Sequence, residues 1–160
     1  MLVTRGCPLE ELAFEGYSFF IRMMRLCLDP VFAGIGIPHG DGSPVLCIPG
    51  YLHGDFYMTL TLIPWLKTIG YHPYPSHIVN AGCLADSTRS LERRLAHIYD
   101  TEKKPVIIVG HSLGGVLARY LGTEFPDEVR GVALLGSPLH QSFVSTFLSW
   151  QAKMLFSILT

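Results

Sequence analysis

One run, Val106-Ile107-Ile108-Val109-Gly110-His111-Ser112-Leu113-Gly114-Gly115, constrains the fold of this chain more than any other. Its β-branched opening reads as a buried strand, and the periodic segment Leu113–Phe125 that follows reads as a helix. The chain must pass from one to the other through a very tight turn with Ser112 at its tip. A serine there is held in strained backbone geometry. Side chains two residues before and after it would collide, so Gly110 and Gly114 are needed. The turn lifts the Ser112 hydroxyl above the sheet and aims the first amides of the helix at any anion forming there. G-x-S-x-G between a strand and a helix is the pattern of a nucleophile elbow.

The remaining elements follow the same alternation. Val45-Leu46-Cys47-Ile48 is an apolar strand closed by Pro49-Gly50, and Phe56–Ile69 is helix-like, with Pro64 as a kink or a start. Gly70–Tyr74 turns into a short strand, which Pro73 places at a sheet edge. Ser87–Tyr99 is an amphipathic helix with Asp86 or Ser87 as its cap. Val132–Leu135 is a further apolar strand. Apolar strands alternating with helices predict an α/β fold, a mostly parallel sheet with helices on both faces. Residues 1–43 read as an amphipathic helix, Leu9–Leu28, and a Gly/Pro-rich linker. Residues 44–140 form the core, and 141–160 are an apolar tail.

Composition removes several function classes. The chain of 160 residues is 49% hydrophobic and 16% charged, which is globular rather than disordered. With 12 Lys and Arg against 13 Asp and Glu, it lacks the basic excess of a nucleic-acid binder. Charges at Glu10, Glu11, Glu15, Arg22 and Arg25 interrupt the N-terminal apolar residues, so no signal peptide is read and a cytoplasmic location is expected. No stretch is apolar enough to span a bilayer, and the first helix is expected to pack on the main domain, with a partner or peripheral membrane contact as the alternatives. Cys7, Cys27, Cys47 and Cys83 form no C-x-x-C pair and are expected as free thiols. No metal or organic cofactor is implied.

The residues Val45–Gly54, Gly110–Gly115 and Gly136-Ser137-Pro138 resemble the α/β-hydrolase superfamily, specifically its bacterial esterase and lipase-like members. The resemblance runs from about Pro44 to His140. It implies that Ser112 is the nucleophile and that the backbone amides of Tyr51 and Leu113 form the oxyanion hole. Gly110, His111 and Gly114 then complete the elbow. The family's usual His-Gly is Pro49-Gly50 here, which leaves a backbone donor intact. Its base comes from a distant loop, so His111 is not the base. His53 and His140 are expected to border the pocket, and His39, His72, His77 and His97 to be surface or turn residues. Asp55 either orients the oxyanion loop or faces solvent. The implied substrate is a small-molecule carboxylic ester with an apolar acyl group, cleaved through an acyl-enzyme.

In this fold the acid and then the histidine follow the nucleophile. From Val129 to Thr160 there is no Asp or Glu, and the only His is His140. A C-terminal half that is missing, or carried on a separate chain, is therefore expected, with residues 141–160 as a truncated lid or core helix or as a terminal helix folded back on the sheet. Loss of the triad removes most catalysis, leaving about 10³–10⁴-fold over water. The chain alone is expected to be weak or inactive. Two alternatives are an acyltransferase or thioesterase on the same elbow, and a catalytically dead hydrolase-like binding module.

Overall fold

A computed structural model describes residues 8–51, 54–79 and 84–137. The chain divides into two compact units, Met1–His39 and Gly40–Thr160.

In the first unit, the apolar periodicity after Pro8 forms α1 (Pro8–Cys27). Tyr17, Phe19, Phe20 and Met24 of this helix are exposed, as is Leu28 just past its end. Beyond it, the Asp29 carboxylate accepts a hydrogen bond from the Val31 amide at 2.8 Å, which stabilises a turn and stops the helix.

The second unit contains β1 (Pro44–Ile48), α2 (Phe56–Leu60), α3 (Leu62–Thr68), β2 (His72–Pro75), α4 (Leu84–Glu102), β3 (Val106–His111), α5 (Leu113–Glu124) and β4 (Val129–Leu135). The strands lie in the order β2-β1-β3-β4 and every pair is parallel. Parallel neighbours need crossovers, which the intervening helices supply.

Every residue of β1 is buried, as an uninterrupted apolar strand between two neighbours requires. Leu46 and Ile48 join a core cluster with Val106 and Ile108 of β3, Leu91, Leu95 and Ile98 of α4, and Leu117, Ala118 and Leu121 of α5. Val45 and Cys47 alternate to the opposite face and are equally buried. Met58 of α2 and Ile63 and Leu66 of α3 are buried outside that cluster. The fold is thus the expected parallel α/β sheet with helices on both faces.

Several boundaries differ from expectation. The segment 56–69 is two helices broken at Thr61 (φ −124°, ψ −75°), ahead of Pro64. Pro64 is the third residue of α3, where a backbone N–H has no partner within the helix, so its missing donor costs nothing. Helix α4 begins at Leu84, so Asp86 and Ser87 lie in its first turn rather than at its cap. Strand β4 begins at Val129, three residues early, because Val129 already pairs with Val106. Pro73 does sit in the outermost strand beside β1 among the described residues.

Candidate active site

β3 ends at His111 and α5 begins at Leu113, so Ser112 alone makes the turn. Its backbone has φ 51° and ψ −119°, a left-handed conformation that an L-residue adopts only under constraint. The constraint is visible on both sides. The Ser112 amide donates to the Leu135 carbonyl at 2.9 Å, and its carbonyl accepts from the Gly115 amide at 3.0 Å.

The flanking glycines are required by space. A Cβ at Gly110 would stand 2.5 Å from the Gly114 carbonyl oxygen and 2.6 Å from the Gly115 Cα. A Cβ at Gly114 would stand 2.5 Å from the Ile48 carbonyl oxygen, with the Pro49 carbonyl nearer still. The elbow therefore rests on the end of β1, and the collision between the two flanks is joined by one with the neighbouring strand.

Pro49-Gly50-Tyr51 leaves that same strand end. Gly50 leans on the elbow: a Cβ there would be 3.3 Å from the Ser112 Cβ and 3.0 Å from His111 Nδ1. The Gly50 amide donates to the Tyr57 hydroxyl at 3.3 Å. That hydroxyl shares a hydrogen bond with His111 Nδ1 at 2.7 Å, and the two rings meet edge to face with centroids 5.5 Å apart. Burial pushes the Tyr57 phenol above its usual range, which keeps it neutral near physiological pH.

Asp55 is bonded rather than left to solvent. Its Oδ1 accepts from the Ser76 amide at 3.1 Å and the Ser76 hydroxyl at 2.7 Å, and its Oδ2 accepts from the His77 amide at 2.7 Å. The carboxylate joins the segment after β2 to the loop after β1. Leu113, 3% exposed, opens α5, so its amide is one of the first four that find no carbonyl within the helix. These amides carry the positive end of the helix dipole beside the half-exposed Ser112.

The structure thus brings together Ser112, Gly110, His111, Gly114, Leu113 and the loop carrying Tyr51. His53 and His140 lie outside the described residues, as does the tail 141–160. His39, His72, His77 and His97 are exposed. Among the described residues, no group of three or more His, Cys, Asp or Glu could hold a metal ion. No helix among them is long and apolar enough to cross a membrane. Sequence reading missed Tyr57. It lies 54 residues from His111, and no local pattern marks a tyrosine that bonds the ends of two strands.

The model of the alpha/beta hydrolase fold family matches residues 48–158. No curated protein matches the chain. Among solved structures, the chain is similar to the pyrethroid hydrolase PytH, with 25% identity and a TM-score of 0.47 over 61% of this chain and 41% of that one. It is also similar to a soluble variant of the Saccharomyces cerevisiae monoglyceride lipase bound to a substrate analogue (18% identity, TM-score 0.46, 77% of this chain and 46% of that one). A third is an alpha/beta hydrolase enzyme from the metagenome of sediments of the Mar Chica lagoon, Morocco (23% identity, TM-score 0.42, 76% and 58%). The chain spans roughly two fifths to three fifths of the length of these proteins. The family model covers well over half of the chain, elbow included, and the chain belongs to the alpha/beta hydrolase fold family.

Proposed function

We propose that this chain carries the nucleophile and oxyanion-binding part of a serine hydrolase that cleaves carboxylic esters with an apolar acyl group. The Ser112 oxygen adds to the ester carbonyl and gives up its proton to a histidine base. The carbonyl oxygen becomes an oxyanion facing the amides of Tyr51 and Leu113. Collapse expels the alcohol, which takes the proton back, and leaves an acyl group on Ser112. Water then releases the acid and restores the hydroxyl. Each oxyanion donor lowers the barrier by about 3–4 kcal/mol.

The observation that carries this reading is the conformation of Ser112, φ 51° at a one-residue turn between a buried strand and the positive end of a helix. Strain of this kind persists only where the surroundings impose it, and it clusters at reactive groups.

A fluorophosphonate probe tests the reading, because capture needs an activated serine and the oxyanion site but no deacylation step, so even slow reaction accumulates as label. Labelling mapped to Ser112, and absent in Ser112→Ala, is expected. Hydrolysis of p-nitrophenyl esters is expected to fall to background in the same variant. Labelling at other positions, or equal in both proteins, would overturn the assignment.

A further inference from the structure

The loop Pro49–Tyr51 belongs to neither a helix nor a strand, so no backbone ladder fixes the direction of its amides. Yet an oxyanion donor works only if held about 2.7–3.1 Å from where the charge develops. Something must hold this loop against the elbow, and the side chain in place to do so is Tyr57. It enters from α2, accepts the Gly50 amide at 3.3 Å, and meets Nδ1 of His111, the residue before Ser112, at 2.7 Å. The hydroxyl is therefore a bridge between the loop after β1 and the end of β3. Gly50 fits beneath it because any larger residue would press on His111 and on the Ser112 Cβ.

We infer that Tyr57 is a positioning residue for the oxyanion-binding loop, its hydroxyl linking Gly50 to His111 so that the Tyr51 amide keeps one direction relative to that of Leu113. Tyr57 does not touch the reacting atoms. It acts through the backbone of its partners, and the inference rests on the Ser112 reading above. It assigns His111 a role as well. His111 is the anchor on the elbow side of the bridge, in place of the base its neighbouring position suggests.

Tyr57→Phe keeps the ring and its edge-to-face contact with His111 and removes only the hydroxyl. Two measurements on the 160-residue chain separate positioning from packing. The first is hydrogen exchange of the Gly50 amide by NMR, expected to quicken about five- to tenfold on loss of one hydrogen bond. The second is the kinetics of fluorophosphonate capture at Ser112. The maximal rate constant is expected to fall about tenfold while the half-saturating probe concentration stays unchanged. His111→Ala should show the same split, and the double variant should be no slower than His111→Ala alone. If Tyr57→Phe does not fold, His111→Ala breaks the bridge from its other end and is read by the capture kinetics, since it leaves the Gly50–Tyr57 bond in place.

Gly50 exchange that is unchanged, a capture rate within twofold of the unaltered chain, or additive losses in the double variant would each overturn the inference. Failure of the underlying reading looks different. The unaltered chain would then not label at Ser112 at all, whatever the exchange rate at Gly50, and the positioning role would fall with it.

Discussion

The amide of Ser112 and the carbonyl of Leu135 are bonded across 2.9 Å, so the end of β4 holds the residue on which the site turns. With that amide held, relaxing Ser112 toward an ordinary negative φ would redirect everything after its Cα, beginning with the Ser112 carbonyl that accepts from Gly115. The strain at φ 51° is paired with the register of the sheet, where His111 already faces Leu135.

Replacing Ser112 should expose that strain. Glycine tolerates the observed backbone and alanine does not, so Ser112→Gly is expected to be more stable than Ser112→Ala by about 1 kcal/mol. Urea denaturation of the two variants side by side reads the difference. Alanine as stable as glycine would mean that the turn is unstrained.

At Gly114 the sign of a substitution is the test. In an exposed helix interior, Gly→Ala adds about 1 kcal/mol of stability. Here the added carbon meets the Ile48 and Pro49 carbonyls, and Gly114→Ala is expected to cost about 1–3 kcal/mol. The urea midpoint should drop at constant slope.

The thiols should differ sharply. Cys27 is exposed, whereas burial pushes the Cys47 thiol up to about 12, with the nearby Asp55 charge adding to it. Only the thiolate reacts. In the folded protein at pH 8, iodoacetamide should alkylate Cys27 and spare Cys47 until denaturant is added. Peptide mass spectrometry separates the two sites.

Acid should loosen the seam between β2 and α4. The Glu102 carboxylate accepts from the Tyr74 hydroxyl and lies 3.4 Å from His72 Nδ1. Chiefly through the tyrosine, its pKa is held below the ordinary 4.5. A carboxylate with a depressed folded pKa contributes stability above its unfolded value and loses it as pH falls through the folded one. The unaltered protein should exceed Glu102→Gln in stability at pH 7. The gap should close as the pH drops below about 4.5. Melting temperatures across that range measure it, and a constant gap would contradict the linkage.

Much of the fold was legible because its signals are local. The β-branched run before Gly110 and the small-residue helix after Ser112 specify the elbow without reference to the rest of the chain. Pro73 likewise needs only its own missing N–H to demand an edge. What escaped depends on partners far along the chain. The hydroxyl of Tyr57 finds His111 only once β1 and β3 are paired, and Asp55 finds Ser76 and His77 only once β2 is laid beside β1. The break at Thr61 was missed for a related reason. The one proline in view, Pro64, drew the expected interruption to itself, although it sits where a helix tolerates it.

The central strand has a consequence for the birth of the protein. Val45 pairs with Ile107, roughly 60 residues further along the chain. At a synthesis rate of about 5–20 residues per second, a nascent β1 waits several seconds for the partner that closes its second side. Through that interval an entirely apolar segment with an unpaired edge stands open beside the ribosome, a natural target for a holding chaperone and for unwanted association with its own kind.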